Sequence, residues 1–204
     1  MRLHYLIKAI QAGIEGHAGD TAAYKAAAFG THSSGSLEQQ LVNLTNPLPD
    51  ISVSDLKSYA PGSFGCVLAK FLDRNQIQPL TLSSKAKSEL QGTPLLAIRY
   101  PLLHDAFHVL LGFDTSLAGE LGVWSFVAAQ QYCAEFNRAA WIGRWFTRLL
   151  IPWQWKKLGD FEDRGRQLGQ RAVCVITEPL EELFGMPLEE VRQRLKLSSQ
   201  PNTD

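Results

Sequence analysis

The sequence predicts an all-α protein, a single-domain helical bundle with a metal-bearing helical hairpin. Apolar residues recur at helical spacing in most segments, whereas the alternation typical of strands is scarce. Two histidines and two carboxylates also lie within residues 104–120, on a segment whose pattern predicts a pair of helices. With 204 residues, of which 45% are apolar, the chain can bury a sizeable core. We expect residues 1–204 to form one domain, with 198–204 as a disordered tail.

Charge and cysteine content exclude several classes of protein. Twenty basic residues balance twenty acidic ones, so no strong overall field indicates a nucleic-acid partner. The three cysteines are odd in number and widely spaced, which argues against a disulfide framework and favours a reducing, intracellular setting. No window approaches the ~20 apolar residues needed to cross a bilayer, so any membrane link would be peripheral.

The N-terminal sixteen residues predict an amphipathic helix that packs on the core. Apolar residues recur there at helical spacing, at Leu3, Leu6, Ile7, Ile10 and Ile14. Polar residues interrupt the stretch, which argues against a secretory signal. Membrane contact by this helix is the alternative.

Several shorter helices follow. A short helix is expected around residues 22–28, within a loose region, and the prolines of 46–63 exclude long helices, although Ser54 could cap a short one. Residues 63–72 predict a helix, and Ser83 or Ser84 could cap another that begins near Lys85.

Two long helices then carry the metal ligands. The first should run from Leu95 to Leu111, with Pro101 near its start or at a kink and Gly112 as its stop. The second should run from Leu117 to Arg138, with Asp114, Thr115 or Ser116 as its N-cap. Because the linker is so short, we expect the two helices to pack antiparallel.

This geometry predicts a metal site. His104 and His108, four residues apart, share one face of the first helix, and Asp105 neighbours His108. Glu120 should face them from the second helix. Such nitrogen and oxygen donors suit zinc, manganese, ferrous iron or, less well, magnesium. Taken singly, each residue has a structural explanation: a polar pair at His104 and Asp105, a core histidine, and an acid at a helix N-terminus.

The pattern HDxxH, eleven residues and then Glu closely resembles the signature of the coenzyme Q biosynthesis protein four family. The similarity covers about residues 55–197 and includes three further segments: PGSFG followed by KFLDRN at 61–75, RY at 99–100, and PLEEVRQRL at 187–195. Leu180 stands where family members often have tryptophan.

The resemblance implies an all-α protein of ubiquinone biosynthesis that binds prenylated ring intermediates. It implies that His104, Asp105, His108 and Glu120 hold one divalent metal ion, with zinc favoured. It also implies oxidative loss of the ring carboxyl at C1 with hydroxylation there, a homodimer, and assembly with other quinone-biosynthesis proteins. We expect a bacterial member, cytoplasmic and peripheral to the inner or another energy-transducing membrane.

Two further sets of residues are candidates for lipid contact. A polyprenyl tail needs an apolar groove, for which the candidate residues are Phe107, Phe126, Val127, Tyr132 and Phe136, although core packing explains them equally well. Four of the five tryptophans fall within residues 141–157, mixed with cations as in an interfacial anchor. The candidate membrane contacts there are Trp141, Arg144, Trp145, Arg148, Trp153 and Trp155, and an amphipathic helix on the core or in a dimer interface is the alternative.

Three functions compete on the sequence alone. The first is a metal-dependent oxidative decarboxylase of a prenylated aromatic acid, and the second is a non-catalytic isoprenoid-binding scaffold at the membrane. The third, an HD-type phosphohydrolase, is weak because such enzymes need a separate upstream histidine and His32 is the nearest candidate. Nothing in the sequence supplies a flavin or nicotinamide fingerprint.

Overall fold

The computed structural model describes residues 2–29, 31 and 33–198. These residues form α-helices and 3-10 turns with no strand, apart from an isolated bridge between Ser63 and Pro187, so the all-α prediction is confirmed. His32 and most of the predicted tail lie outside the described residues. No helix in the described part of the chain is both long enough and apolar enough to cross a membrane.

The described residues contain eleven α-helices. They are α1 (Leu3–Ile14), α2 (Ala18–Phe29), α3 (Gly35–Val42), α4 (Val53–Ser58), α5 (Phe64–Asn75), α6 (Ser84–Glu89), α7 (Leu95–Leu111), α8 (Leu117–Ala129), α9 (Ala134–Leu150), α10 (Trp155–Arg171) and α11 (Leu188–Arg194). Three 3-10 turns lie at Pro152–Gln154, Val175–Thr177 and Leu180–Leu183.

One large buried cluster extends from Leu37 to Leu197 and holds most of the helices together. A second cluster lies under α1 and α2, and it meets α7 at Ile98 and Leu102. Because α7 contributes to both clusters, it is the central helix of the fold. Its predicted bounds are confirmed, and Gly112 ends it in the left-handed conformation with φ of 67°.

The predicted α1 helix exists, but the face that it buries was predicted wrongly. The buried residues are Tyr5, Ala9 and Ala12, whereas four of the five predicted apolar residues are exposed: Leu3, Ile7, Ile10 and Ile14. The small residues of α1 face Ala23 and Ala27 of α2. Side chains this small let the two helices approach closely, so the bulky stripe is turned outward.

Serine caps set several helix starts. Ser63, Ser83 and Ser116 each accept a hydrogen bond from a backbone N–H in the first turn of α5, α6 and α8. Ser83 and Ser116 were among the predicted caps. The predicted cap at Ser54 was wrong, because the N-cap of α4 lies two residues earlier, at Ser52.

The single helix predicted from Leu117 to Arg138 is wrong, because the chain breaks after Ala129. Gln131 takes a left-handed conformation with φ of 53°, and the Cys133 thiol caps α9 by accepting from the Phe136 N–H. The break lets the Tyr132 hydroxyl donate to Gln130 and accept from the Ile176 N–H. Ile176 is distant in sequence, so the local pattern gave no sign of the break.

Helix α8 packs mainly against α10 and less extensively against α7, so the expected antiparallel pairing along α7 is not confirmed. Glycines make the α8–α10 approach possible. A Cβ on Gly165 would lie 2.1 Å from the carbonyl oxygen of Gly122, and one on Gly169 would lie 2.5 Å from that of Phe126. These distances leave no room for a side chain at either position.

We expect Gly165→Ala to lower the free energy of unfolding by about 1–3 kcal/mol or more, because the methyl group must push α8 and α10 apart. Urea unfolding monitored by circular dichroism measures this change. Gly159→Ala in the same helix is the matched control, since a Cβ there meets nothing within 4 Å, and it should be neutral or stabilising by up to about 1 kcal/mol. Equal stability of the two variants would show that the helices do not depend on this contact.

Candidate metal site

Helix α7 places two imidazoles on one face. The ring centroids of His104 and His108 lie 4.8 Å apart, as the i,i+4 spacing predicts. His104 is partly buried, and only 1% of the His108 side chain is exposed. Phe71 of α5 stacks on the His108 ring at 5.7 Å, and the Tyr100 ring stands perpendicular to His104 at 5.8 Å. The two histidines therefore lie in a largely aromatic pocket.

The third donor comes from the first turn of α8. The Glu120 Oε2 atom lies 3.4 Å from His104 Nε2, and its Oε1 atom lies 3.2 Å from His108 Nε2. Donor atoms of the three side chains all fall within 4.8 Å of one another. The short turn after α7 and the Ser116 cap set where α8 begins, and with it the position of Glu120.

Asp105 lies on the other side of His104. Its Oδ1 atom is 3.7 Å from the Nδ1 atom of His104, whereas Glu120 faces Nε2. Asp105 is thus outside the group of three converging side chains. A carboxylate in this position can fix the orientation and tautomer of a histidine ligand, while its predicted role as a direct ligand stays a prediction.

The carboxylates and imidazoles shift each other's protonation. Burial lowers the pKa of His104, but Asp105 and Glu120 outweigh it and raise that pKa to about 9. Burial likewise raises the pKa of Glu120, but His104 and His108 outweigh it and bring that pKa to about 2. Glu120 is therefore ionised at neutral pH.

The residues fit a divalent metal ion. Both ring nitrogens of His108 are buried without a hydrogen-bond partner among the described residues, although Glu120 Oε1 lies 3.2 Å from Nε2. An unpaired buried polar group costs about 1–3 kcal/mol, and an ion on Nε2 would remove part of that cost. Two imidazoles and a carboxylate suit zinc well, and three protein ligands leave a coordination position open.

A small apolar cavity of about 160 Å³ adjoins the cluster. It is lined by Tyr100, Trp124, Val127, Phe136, Ala139 and Ala140. Tyr100 contacts both His104 and Phe136, with ring centroids 5.8 Å and 4.9 Å away. The cavity therefore has one wall in common with the surroundings of the histidines. We call it the inner cavity.

A larger apolar groove of about 590 Å³ lies beyond it. The groove runs between the end of α2 and the exposed side of α9, where its main apolar residues are Ala26, Phe29, Ile142 and Phe146. Trp124, Phe136 and Ala139 line both this outer groove and the inner cavity. The two spaces therefore share walls, and no residue of the histidine cluster lines the outer groove.

The predicted groove residues divide between cavity and core. Val127 and Phe136 line the inner cavity. Phe107 and Phe126 pack edge to face in the main core, and Tyr132 is fixed there by its hydrogen bonds, so core packing accounts for these three. Sequence reasoning missed Tyr100 and Trp124. A signal existed for Tyr100, which lies one turn before His104 on the same helix face.

The predicted membrane-contact residues lie on α9, the following 3-10 turn and the start of α10. Trp141, Trp145, Trp153 and Trp155 are exposed, with Trp153 at 76%. Arg148 is buried, bonds to Glu162 of α10 at 2.6 Å and covers the Trp155 ring. Arg144 pairs with the same carboxylate. The prediction for Arg148 was wrong, because this arginine ties α9 to α10 instead of facing outward.

Solved structures and curated sequences bear on the fold and the family. A protein from Nostoc punctiforme, provisionally assigned to ubiquinone biosynthesis, has a similar fold, with a TM-score of 0.66 over 97% of this chain and 96% of that one, at 21% identity. The mitochondrial ubiquinone biosynthesis protein COQ4 homolog of Bos taurus is 28% identical over 163 residues, and that of Xenopus tropicalis is 30% identical over 146 residues. These alignments cover 76% and 72% of this chain but only 57% and 51% of the relatives.

The sequence profile of one family matches most of the chain. The match extends over residues 44–201 and so contains α7, α8 and all three converging side chains. The family is described as Coenzyme Q (ubiquinone) biosynthesis protein Coq4. The resemblance inferred from the sequence is thereby confirmed, and the chain belongs to this family.

Proposed function

We propose that the protein binds a prenylated ring intermediate of ubiquinone biosynthesis, with the ring beside His104, His108 and Glu120 and the tail in the outer groove. One observation carries the proposal. Tyr100 connects the histidines to the inner cavity, and Trp124 and Phe136 connect that cavity to the outer groove. A polar headgroup site thus lies beside two adjoining apolar spaces, an arrangement that suits a ring with an isoprenoid tail.

The chemistry of the outer groove supports an apolar tail. The outer groove is lined mainly by aliphatic and aromatic side chains, with Glu135 and Arg138 at its rim. Burying apolar surface releases roughly 25 cal/mol per Å², so a hydrocarbon chain in this groove gains free energy along its whole length. The ring carries the polar groups, and it therefore belongs at the cluster end.

His104, His108 and Glu120 would hold the metal ion, for which zinc is the best fit and manganese, iron or magnesium are alternatives. When bound, the ion supplies positive charge that draws electron density from a carboxylate or phenolate of the ring. Asp105 orients His104 from its Nδ1 side. Phe71 packs against the ring of His108 and Tyr100 against that of His104.

The reaction that we propose replaces the C1 carboxyl of the ring with a hydroxyl and releases carbon dioxide. This change oxidises the ring, and it therefore requires dioxygen or another external oxidant. A non-catalytic scaffold is the second candidate, favoured by the exposed tryptophans of α9 and the following turn. Ring turnover by the metal-loaded protein, lost in Glu120→Ala but retained in Trp153→Ala, would favour the enzyme, whereas lipid retention without turnover would favour the scaffold.

We also propose that the exposed side of α9 rests on the membrane surface, which makes the protein peripheral to the membrane. Trp141, Trp145 and Trp153 would lie at the headgroup level, where indole rings are favoured. The outer groove is lined by the same helix, so a tail could enter it from the bilayer. A homodimer and association with other quinone-biosynthesis proteins are part of this proposal.

Protein purified without chelators tests the proposal. Native mass spectrometry with elemental analysis and lipid extraction should find one divalent metal ion and one isoprenoid per chain. Ala139→Phe, which fills the wall shared by the two spaces, should reduce the isoprenoid at least about tenfold, the loss of roughly 1.4 kcal/mol of binding, and leave the metal unchanged. Ala134→Phe, exposed at the start of the same helix, should alter neither. Wild-type protein that carries and rebinds neither metal nor isoprenoid would refute the proposal.

A further inference from the structure

A cleft of about 530 Å³ lies at the C-terminal end of α7, between α10 and α11. Three arginines line it, Arg164 and Arg171 from α10 and Arg192 from α11, together with Gln167 and Gln193. No residue of the metal cluster, the inner cavity or the outer groove lines this cleft. Its polar lining also distinguishes it from the apolar cavity and groove, and the function proposed above makes no use of this cleft.

Two of the guanidinium groups converge above Gly112. The Nη2 atoms of Arg164 and Arg192 lie 3.1 Å and 3.4 Å from the point that a Cβ on Gly112 would occupy. Arg164 donates to the Leu111 carbonyl at 2.9 Å, and Arg192 donates to those of Leu110 and Val109, also at 2.9 Å. The end of α7 therefore holds both side chains in place.

Helix capping accounts for only part of this positive charge. Arg192 uses three of its five N–H donors, two on α7 carbonyls and one on Glu189. Arg164 uses one of its five N–H donors on α7, and Arg171 uses one on the Leu197 carbonyl. Within residues 33–198, neither Arg164 nor Arg171 has a carboxylate within ion-pair distance. Burial and the neighbouring Arg192 lower the pKa of Arg164, as expected where like charges lack a counterion.

We propose that this cleft binds a phosphoryl group. Guanidinium groups match the geometry of phosphate oxygens and bind them in pairs. Three cations against the single carboxylate of Glu189 match a dianion better than a monoanion. The volume lies within the range of about 300–1,000 Å³ typical of small-molecule sites. The phosphoryl group can belong to a free diphosphate or to a phospholipid headgroup.

Calorimetric titration of the full chain with inorganic pyrophosphate, at constant ionic strength, tests the proposal. Arg164→Gln and Arg171→Gln should each weaken binding at least tenfold. Arg171 does not cap α7, so its variant keeps the helix end intact. Arg166→Gln is the matched control, because Arg166 is exposed on the same helix and pairs with Asp163 outside the cleft. An unchanged thermal midpoint and metal content would verify that each variant is folded.

A second measurement separates the two sources of phosphoryl group. Flotation with vesicles of phosphatidylcholine and phosphatidylglycerol reports on a lipid headgroup. Vesicle binding that falls in Arg171→Gln but not in Arg166→Gln, without pyrophosphate binding, would assign the site to lipid. The proposal is overturned if neither probe binds. It is also overturned if Arg166→Gln weakens binding as much as Arg171→Gln, as a purely non-specific charge effect would require.

Discussion

Replacement of Arg99 by leucine is expected to lower the free energy of unfolding by about 3–5 kcal/mol, the cost of breaking a buried ion pair by removing one partner. Arg99 of α7 is fully buried, and it forms an ion pair with Glu181 at 3.2 Å. Its guanidinium also donates to four backbone carbonyls at 2.8–3.1 Å, those of Asn46, Pro47, Ile176 and Glu178. Leucine leaves all four carbonyls and one carboxylate without their donor.

The lost hydrogen bonds connect three parts of the chain. Arg99 joins α7 to the segment between α3 and α4 and to the 3-10 region before α11, none of which is adjacent in sequence. Burial lowers the pKa of Arg99, an effect that Glu181 opposes. Lysine at this position keeps the positive charge but lacks the planar guanidinium group, whose N–H donors reach several carbonyls at once. Arg99→Lys should therefore also destabilise the protein, although by less than leucine.

Urea unfolding of the variants measures the effect. Arg138→Leu is the matched control, because Arg138 is 71% exposed and pairs with a neighbour on its own helix, Glu135. The free energy of unfolding of Arg138→Leu should differ from that of the wild type by no more than about 0.5 kcal/mol. If the two leucine variants differ by less than about 1 kcal/mol, the typical worth of one ordinary hydrogen bond, Arg99 does not hold these segments together.

Arg99 also illustrates where sequence analysis of the fold reaches its limit. Helices whose ends are set locally were predicted well: α7 ends at Gly112, and α6 and α8 start at serine caps. The break after Ala129 was missed because its stabilising bonds come from residues near 170 and 176. The orientation of α1 was missed because it depends on the small residues of α2, which the pattern of α1 cannot show.

The candidate site divides in the same way. His104, His108 and Glu120 lie on consecutive helices joined by a short turn, so their spacing was enough to predict that they converge. The outer groove draws its walls from α8 and α9 and from α2, which is far from them in sequence. Phe107, Phe126 and Phe136 have the same chemistry, and only the packing distinguishes the two core residues from the one that lines a cavity.

Glu120→Gln is expected to weaken zinc binding by at least about 100-fold. Loss of a partner behind a ligand already costs about 10- to 100-fold in affinity, and Glu120 faces both imidazoles directly. Glutamine keeps the shape of the side chain but removes its charge and replaces one oxygen with a nitrogen donor. Competition against a zinc chelator measures the affinity. Glu190→Gln on α11, an exposed carboxylate away from the cluster, should leave it unchanged.

Asp105→Asn separates an orienting carboxylate from a direct ligand. Asp105 lies beside the Nδ1 atom of His104. Its replacement should therefore weaken zinc binding by about 10- to 100-fold, which is less than the effect of Glu120→Gln. A loss equal to that of Glu120→Gln would make Asp105 a fourth ligand.

Thermal unfolding gives the same comparison without a chelator. Zinc at 100 times its dissociation constant stabilises the wild type by about 2.7 kcal/mol, so its midpoint should rise with added zinc. Glu120→Gln should keep its metal-free midpoint but fail to respond, which distinguishes the loss of a ligand from the loss of the fold. The midpoint of Asp105→Asn should also rise, but only at a higher zinc concentration than the wild type needs. Three side chains still bind the ion in this variant, so more zinc compensates for the weaker affinity.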